Sequence, residues 1–460
     1  MSAPLVTEIA IIGAGTAGIR AFTELNRLGV KTLLIDRGPL GTTCARVGCM
    51  PSKAALHGAN QWSNLRALVN PSDLSNTAVT PNQLWKQARD MRDMLAGGTA
   101  ERTRKSAGDR LIMGQARFTG PNTLDVDGQA IQADAFIIAT GSRPIVPGFL
   151  ASLGDRLLTT DNLFDMQELP ESVGLLGLGA VGLEMGLALT RLGVRVVSGD
   201  MKTLPAGISD PEVGARTVEH FQDELSMWLG EAVDVHVDAE GIELKSGNKT
   251  ARVERVLAAL GRRTNVDGMD LELAGAELNE QGQPKIDAKT LRATGTQVFL
   301  AGDVSALRPL MHEAADEGII AARSAANLIT SQNLDLPARS VPLGIVFSDP
   351  DIATVGLRYD ELDLNTTVIG TAEGASNGRS KVMGADSNLV RLYVERASGK
   401  LLGASLMATR GEHLAHLLAW SIQRGETVEQ LLELPYYHPS IEEMLQSALQ
   451  DAARQLRDAS

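Results

Sequence analysis

The stretch that decides the fold lies near the N-terminus, at residues 8–36: EIAIIGAGTAGIRAFTELNRLGVKTLLID. An apolar run typical of a buried β-strand leads into a glycine-rich turn and an amphipathic helical segment. A second apolar run follows and ends at Asp36. This order of strand, glycine turn, helix and strand is typical of a parallel α/β sheet.

The same pattern occurs a second time at residues 171–200, ESVGLLGLGAVGLEMGLALTRLGVRVVSGD. All matching positions are offset by 164 residues, so the two copies share one register. A repeat of this kind predicts two structural units of the same type. The matched positions are Gly13 and Gly177, Gly15 and Gly179, Gly18 and Gly182, Gly29 and Gly193, and Asp36 and Asp200.

Each copy carries the pattern of a dinucleotide-binding turn. The first glycine allows the tight turn, the second lets a pyrophosphate approach the backbone, and the third lets the helix pack on the strand. One copy alone is often an ordinary glycine turn, but two copies with the same flanking elements predict two bound dinucleotides. An acid at the end of the second strand binds ribose hydroxyls and repels the 2′-phosphate of NADP, so Asp200 favours NAD. Lys202 could instead contact such a phosphate.

Cys44 and Cys49 are the only cysteines of the chain. The pair is redox-catalytic, metal-binding or accidental, and no further cysteine is available to complete a zinc site. An ideal helix separates Cα atoms five residues apart by roughly 8.6 Å, beyond the roughly 7 Å limit for a disulfide. A distorted helix start is therefore expected if the two sulfurs bond. Such a disulfide is easily reduced, and the helix dipole stabilises the resulting thiolate.

Length and charge narrow the class of protein. A chain of 460 residues predicts two to four domains. Its net charge of −13 argues against nucleic acid or an anionic membrane as a partner. The longest apolar stretch, Val173 to Leu189, is interrupted by glycines and Glu184, so no membrane span is predicted. The start MSAPLVTEIAII lacks the features of a secretory signal, and we expect a cytoplasmic location.

Several segments together resemble the pyridine nucleotide-disulfide oxidoreductase family. The hallmark is the cysteine segment GPLGTTCARVGCMPSK, in which Thr42 and Arg46 depart from the commonest family residues. The other segments are Ala139-Thr140-Gly141, LAALGRRTN at 257–265, VFLAGDVS at 298–305, FSDPDIATVG at 347–356 and PYYHPSIEEM at 435–444.

The resemblance implies a set of site residues. FAD would bind the first copy and NAD the second, and no metal site is expected. The implied FAD residues are Gly13, Gly15, Gly18, Asp36, Lys53, Thr140, Gly141, Gly302 and Asp303. The implied NAD residues are Gly177, Gly179, Gly182, Asp200 and Gly261. The implied catalytic residues are Cys44, Cys49, Lys53, Glu184, His438 and Glu443, with Lys53 paired to Glu184.

The last motif also has a direct physical interpretation. Pro439 at a first helical position would set His438 at a helix entrance, where Glu443 could orient its imidazole as a base for a thiol. The resemblance implies that His438 acts from the partner subunit of a homodimer. His413 and His416 could suggest a metal pair, but two ligands without suitably spaced acids favour interface or core positions.

The expected architecture is α/β, with two Rossmann-like domains and a C-terminal α+β dimerisation domain. FAD would bind residues 1–147 and 268–338, the NAD domain would be the insertion 148–267, and residues 339–460 would form the dimer interface. A charged helix broken near Gly97-Gly98 is expected between Pro81 and Arg110.

The expected function is that of a dihydrolipoamide dehydrogenase-like flavoenzyme. It would oxidise a dithiol, possibly a lipoyl group on a carrier protein, and reduce NAD⁺. The chain lacks the C-terminal cysteine pair of mercuric reductases, and the acid at position 200 argues against the NADP-dependent glutathione and trypanothione reductases. Two alternatives stay open: an NADH-dependent reductase of another small disulfide, and a non-catalytic flavoprotein redox sensor.

Overall fold

The computed structural model describes residues 3–69, 79–330 and 333–458, which form a mixed α/β fold. Its helices are α1 (Thr16–Arg27), α2 (Thr43–Arg46), α3 (Cys49–Leu68), α4 (Pro81–Ala107), α5 (Ala180–Arg191), α6 (Pro211–Leu225), α7 (Met311–Thr330), α8 (Gly378–Val382), α9 (Gly411–Arg424), α10 (Val428–Leu432) and α11 (Glu443–Asp458). None of these helices is both long and apolar enough to cross a bilayer.

In the part of the chain that the structure describes, the strands are grouped in three large sheets and two small ones. They are β1 (Leu5–Ile12), β2 (Thr32–Asp36), β3 (Leu111–Met113), β4 (Ala116–Gly120), β5 (Thr123–Val126), β6 (Gln129–Ile138), β7 (Ser142–Pro144), β8 (Leu157–Leu158), β9 (Ser172–Leu176), β10 (Arg195–Asp200), β11 (Met227–Leu229), β12 (Asp234–Asp238), β13 (Gly241–Ser246), β14 (Lys249–Val253), β15 (Arg255–Ala258), β16 (Arg262–Thr264), β17 (Val298–Leu300), β18 (Leu343–Val346), β19 (Asp351–Gly356), β20 (Thr367–Glu373), β21 (Leu389–Glu395) and β22 (Leu401–Ala408).

The first sheet contains the N-terminal glycine turn. Its parallel part has the order β3-β2-β1-β6-β17, and the hairpin β4-β5 continues it from the first half of β6. Strand β17 joins this sheet only after the chain has formed the whole of the second sheet. The second unit is therefore inserted into the first, as expected, and the boundaries at 147, 267 and 338 stay predictions.

The second sheet repeats the first strand by strand. Its order is β11-β10-β9-β15-β8, all parallel, with β9 and β10 in the places of β1 and β2. The meander β12-β13-β14 follows in the chain at the point where the first unit has β4 and β5. The repeat seen in 30 residues of sequence thus extends to a whole sheet.

The C-terminal sheet is antiparallel, in the order β18-β19-β22-β21-β20. Helices α9, α10 and α11 pack on it around a shared apolar core. Tyr393 of β21 is fully buried, and its hydroxyl donates to the Asp210 carboxylate at 2.7 Å. Arg391 Nε binds the same carboxylate at 2.8 Å, and these two contacts fasten the second unit to this sheet.

Helix α4 differs from the expectation. It runs without interruption from Pro81 to Ala107, so the predicted break at Gly97-Gly98 is wrong. Each glycine costs a helix only about 1 kcal/mol relative to alanine. A capping box at Thr80 and the burial of Trp85, with further contacts to α3, are sufficient to keep the helix whole.

The helix after each glycine turn lies very close to its strand. A Cβ on Gly18 would lie 1.9 Å from the carbonyl oxygen of Gly13, and a Cβ on Gly182 would lie 1.9 Å from that of Gly177. Real Cβ atoms do not approach backbone so closely. Only glycine at these two positions allows the helix N-terminus to stand directly behind the turn.

We expect Gly18→Ala to lower the thermal unfolding midpoint, because relief of a backbone clash by a shift of the main chain costs about 1–3 kcal/mol. Gly97→Ala is the matched control, since a Cβ there meets nothing within 4 Å. It should leave the midpoint unchanged or raise it. Circular dichroism on both variants checks this, and equal midpoints would contradict the proposed contact.

Candidate active site

One cavity of about 690 Å³ connects the first glycine turn with the cysteine segment and the start of α5. Eleven of the residues implied by the sequence line it, while His438 and Glu443 are not among its described lining residues. The lining residues are Gly13, Gly15, Asp36, Cys44, Cys49, Lys53, Thr140, Gly141, Glu184, Gly302 and Asp303.

The first glycine turn has the geometry of a dinucleotide site. Asp36 accepts hydrogen bonds from the backbone N–H groups of Ala14 and Gly38, both at 2.6 Å. These bonds fix the carboxylate at the end of β2, facing the cavity. Gly15 is the N-cap of α1 and offers no side-chain acceptor, so the free N–H groups of the first helical turn can bind phosphate oxygens.

The second turn repeats this arrangement bond for bond. Asp200 accepts from the backbone N–H of Leu178 at 2.7 Å and from that of Lys202 at 2.8 Å. A Cβ on Gly179 would meet nothing within 4 Å, which leaves room for a pyrophosphate at the start of α5. Gly261 adopts a positive φ of 97° after β15, opposite this turn.

Two loops close the cavity beside the first turn. Thr140 Oγ1 donates to the carbonyl of Asn265 at 2.7 Å, and Asn265 Nδ2 donates to the carbonyl of Thr140 at 2.9 Å. Asp303 accepts from Ser142 Oγ at 2.5 Å. Arg262 Nε donates to the same hydroxyl at 2.7 Å and so orients Ser142 toward Asp303.

The two cysteines flank a break between helices. Helix α2 ends at Arg46 and α3 begins at Cys49, and Gly48 between them has φ −119° and ψ −120°. This is the distorted helix start that the five-residue spacing requires. Both cysteines are free thiols in this structure, close enough for the Cys44 thiol to donate a hydrogen bond to Cys49.

That hydrogen bond makes the two thiols unequal. It lowers the pKa of Cys49 to about 6, against the effect of burial and with help from the Lys53 ammonium. The same bond, together with burial, raises the pKa of Cys44. In the reduced pair Cys49 is therefore the thiolate and Cys44 the thiol near neutral pH. A thiolate of low pKa is also a good leaving group from a disulfide.

Lys53 and Glu184 form an ion pair between the two units. Lys53 Nζ lies 2.8 Å from both carboxylate oxygens of Glu184, which is buried in the first half of α5. Phe347 N–H donates to Glu184 at 3.1 Å, and its ring lies 4.8 Å from Lys53 Nζ. The pair thus joins the cysteine helix to the second nucleotide turn, beside the C-terminal sheet.

His438 and Glu443 form a second polar group away from the cavity. His438 Nδ1 lies 3.0 Å from Glu443 Oε1, and Ser440 N–H donates to the other carboxylate oxygen at 2.9 Å. These contacts, the one from Ser440 first, lower the pKa of Glu443. The side chain of His438 is 78% exposed, so its ring is free to meet another molecule.

The helix at this motif begins later than expected. Pro439 was predicted at a first helical position, but α11 starts at Glu443, so that prediction is wrong. The peptide between His438 and Pro439 is cis. Glu443 still contacts the imidazole: its carboxylate, at the first residue of α11, reaches back to His438 in the non-helical segment before the helix.

His413 and His416 lie on α9, and both contact Glu412, His416 through the backbone carbonyl at 2.7 Å from its Nδ1. His413 is near Glu412, with 3.7 Å between Nε2 and the carboxylate, and His416 contacts the Trp420 ring. In the described residues, no group of three or more His, Cys, Asp or Glu side chains could hold a metal ion. Trp420 is 59% exposed, which marks this face of α9 as an apolar surface.

Comparisons with known proteins agree with this geometry. The profile described as "Pyridine nucleotide-disulphide oxidoreductase" matches residues 7–318. The chain belongs to this family. The profile of the family's dimerisation domain matches residues 343–449 and supports a homodimer. FAD and NAD(H) are the cofactors of the family, and the chain is an FAD-dependent oxidoreductase.

Relatives are similar over nearly the whole length. A protein named dihydrolipoyl dehydrogenase from Halobacterium salinarum is 32% identical and covers 97% of this chain and 96% of its own. One of the same name from Bacillus subtilis is 28% identical, with 98% and 97% covered.

Two solved structures share the fold. The copper(II) complex of the HOCl-induced flavoprotein disulfide reductase RclA from Escherichia coli has a TM-score of 0.83 at 22% identity, covering 96% of this chain and 99% of that one. LpdA from Mycobacterium tuberculosis has a TM-score of 0.81 at 23% identity, covering 98% and 99%.

The first nucleotide site fits FAD. Its cavity reaches from Asp36, where a ribose would bind, past Asp303 to Cys49 and Lys53, where an isoalloxazine ring would lie. Close packing at Gly13 and Gly18 leaves no space for side chains at the pyrophosphate turn. Sequence reasoning did not assign a role to Ser142, Arg262 or Phe347, although Arg262 lies in the segment LAALGRRTN and Phe347 begins the segment FSDPDIATVG.

We expect the reduced protein to show a long-wavelength absorbance from a Cys49 thiolate beside the flavin. Because the pKa of Cys49 is lowered to about 6, the thiolate persists at neutral pH and is lost as the pH falls through this value. An anaerobic pH titration of the two-electron-reduced protein measures the midpoint. A midpoint near the ordinary thiol pKa of about 8.5 would contradict the assignment.

Variants of the two cysteines separate their roles. Cys44→Ser should show the absorbance without reduction, because Cys49 can no longer form a disulfide and the serine hydroxyl can still donate to it. Cys49→Ser should not show it in either state. The reverse pattern would exchange the two sulfurs.

Proposed function

We propose that the chain oxidises a dithiol of the dihydrolipoyl type and reduces NAD⁺, with the Cys44-Cys49 disulfide and FAD as carriers. The observation that supports this most is the unequal thiol pair in a cavity shared with the FAD residues. A disulfide that only stabilises the fold does not require a cysteine whose pKa is lowered so that it is a thiolate at neutral pH.

Substrate oxidation begins with attack on Cys44. A substrate thiolate forms a bond to its sulfur, the Cys44-Cys49 bond breaks, and Cys49 leaves as the thiolate. The second substrate thiol, once deprotonated, attacks the mixed disulfide. The oxidised substrate is released and Cys44 takes up a proton. The substrate has then lost two electrons, and the cysteine pair has gained them.

When bound, FAD carries the two electrons from the cysteine pair to NAD⁺. Lys53 stabilises the Cys49 thiolate by its charge, and Glu184 fixes Lys53 in place. Since Glu184 lies in the first half of α5, it sits at the boundary between the cysteine helix and the NAD turn. The second glycine turn, with Asp200 at its edge, binds NAD.

The base for the substrate thiols is His438 of the partner subunit. Within one chain His438 does not reach the cavity, and its side chain is largely exposed. Glu443 stabilises the imidazolium that forms when the ring accepts a proton. The dimerisation-domain match and the exposed apolar face of α9 support the second subunit.

A second candidate is an NADH-dependent reductase of another small disulfide. Tyr436 stands where the lipoamide branch commonly has a histidine, and its hydroxyl donates to the carbonyl of Leu431 at 3.2 Å. Because its hydroxyl proton is engaged in this bond, Tyr436 does not replace that histidine as an additional base for a substrate thiol. RclA, which shares the fold, is described as a disulfide reductase, and this favours the second candidate.

We expect the purified FAD-bound protein to form NADH from NAD⁺ and dihydrolipoamide. The assay follows NADH absorbance, beside a panel of small disulfides with NADH as the donor. Negligible lipoamide turnover with rapid reduction of another disulfide would favour the second candidate. If the protein neither reduces NAD⁺ with dihydrolipoamide nor reduces any of the disulfides with NADH, both candidate functions are wrong.

His438→Ala should slow dithiol oxidation by about 100-fold or more, the usual contribution of a general base. Reduction of an artificial dye by NADH should change less than about twofold, because it bypasses the thiol step. His236→Ala is the control, since this histidine is exposed on β12. Equal losses in the two assays would remove His438 from the role of thiol base.

A further inference from the structure

Glu317 is a fully buried carboxylate with no part in the electron path described above. It lies on α7 with none of its surface exposed. One oxygen accepts from the backbone N–H of Gly302 at 2.7 Å and from Ser305 Oγ at 2.9 Å. The other oxygen is bound by the guanidinium of Arg339. Such a group is retained in a core only when its partners compensate its desolvation.

The two donors on the first oxygen belong to the turn that faces the flavin. Gly302 and Asp303 line the cavity, and the short helical turn Asp303–Ser305 follows β17 after Ala301 and Gly302. Gly302 has a φ of 81°, and a Cβ there would lie 3.1 Å from the Cβ of Ala17 on α1. The turn therefore lies tightly against α1, and the acceptor of the Gly302 N–H and the Ser305 hydroxyl helps to fix its position.

The partner on the second oxygen comes from elsewhere in the chain. Arg339 lies in the segment that leads into the C-terminal sheet, which begins at Leu343. A second arginine also contacts this segment, since Arg308 donates to the carbonyl of Ser340 at 3.0 Å and to Glu313 at 2.9 Å. Glu317 and Arg339 thus join the flavin-facing turn to the entrance of the C-terminal sheet, whereas Arg308 and Glu313 join only α7 to it.

We propose that Glu317 is a positioning residue that holds the Gly302–Ser305 turn against FAD, and that Arg339 couples this turn to the C-terminal domain. Glu317 does not line the cavity and so acts through the turn. Its loss would leave one backbone N–H and one hydroxyl without their acceptor, and the turn would no longer be held in the conformation that FAD binds. Flavin retention thereby depends on the docking of the dimerisation domain.

The test is the dissociation constant of FAD, measured by titrating apoprotein and following flavin fluorescence. Glu317→Ala should raise it about tenfold or more. Glu317→Gln should raise it by less, because the amide oxygen can still accept both bonds from the turn, although the amide NH2 cannot accept from Arg339. Arg339→Gln should also raise it, and Arg339→Lys should restore most of the affinity. The FAD dissociation constant is measured without substrate, so a failure of this proposal can be told apart from a failure of the proposed dithiol oxidation.

Glu313→Gln is the matched control. Glu313 lies one turn earlier on α7, is 1% exposed and also pairs with arginines, but it has no bond to the flavin-facing turn. It should change the FAD dissociation constant by less than about twofold. If Glu313→Gln weakens FAD as much as Glu317→Gln, the effect is one of general stability and the proposal fails.

Ser305→Ala decides the matter if the Glu317 variants do not fold. It removes one of the two donors without leaving a charge unpaired, since Arg339 and Gly302 remain. A threefold or larger rise in the FAD dissociation constant supports the proposal. A wild-type value for Ser305→Ala overturns it, and a wild-type value for Arg339→Gln overturns the coupling to the C-terminal domain.

Discussion

The break in the helix at Val47-Gly48 is the constraint on which the chemistry of this protein depends. A continuous helix would hold Cys44 and Cys49 too far apart to share a bond. With the break, Cys44 donates a hydrogen bond to Cys49 and the two thiols acquire different pKa values. Lys53 then follows one turn into α3 and adds its charge to the thiolate side.

The duplicated unit determines where this pair lies. Each copy presents a glycine turn and an acid at the end of a parallel sheet, and the first turn shares one cavity with the start of α5, the helix that follows the second turn. The ion pair between Lys53 and Glu184 spans the boundary between the copies. The cysteine pair thus lies in the first unit and the second glycine turn in the inserted unit, and the Lys53–Glu184 ion pair connects them.

Much of this could be predicted from the sequence because its causes are local. Gly13, Gly18 and Asp36 act within a single turn, and the cysteine spacing alone required a distorted helix. Where tertiary contacts decide, local signals failed: α4 stays whole at Gly97-Gly98 because it packs on α3. In the sequence Glu317 looks like any other helical acid, since its partners lie 12, 15 and 22 residues away in the chain. The site of action of His438 depends on a second chain, which only the family resemblance could indicate.

The central claim is that the two sulfurs exchange electrons with a nicotinamide through the flavin. Since the chain has no other cysteine, a thiol titration of the denatured protein measures this pair alone. The oxidised FAD-bound protein should yield no titratable thiol, and the same protein denatured after anaerobic treatment with NADH should yield both cysteines as thiols. A titre that NADH leaves unchanged, in protein that retains its flavin, would contradict the account.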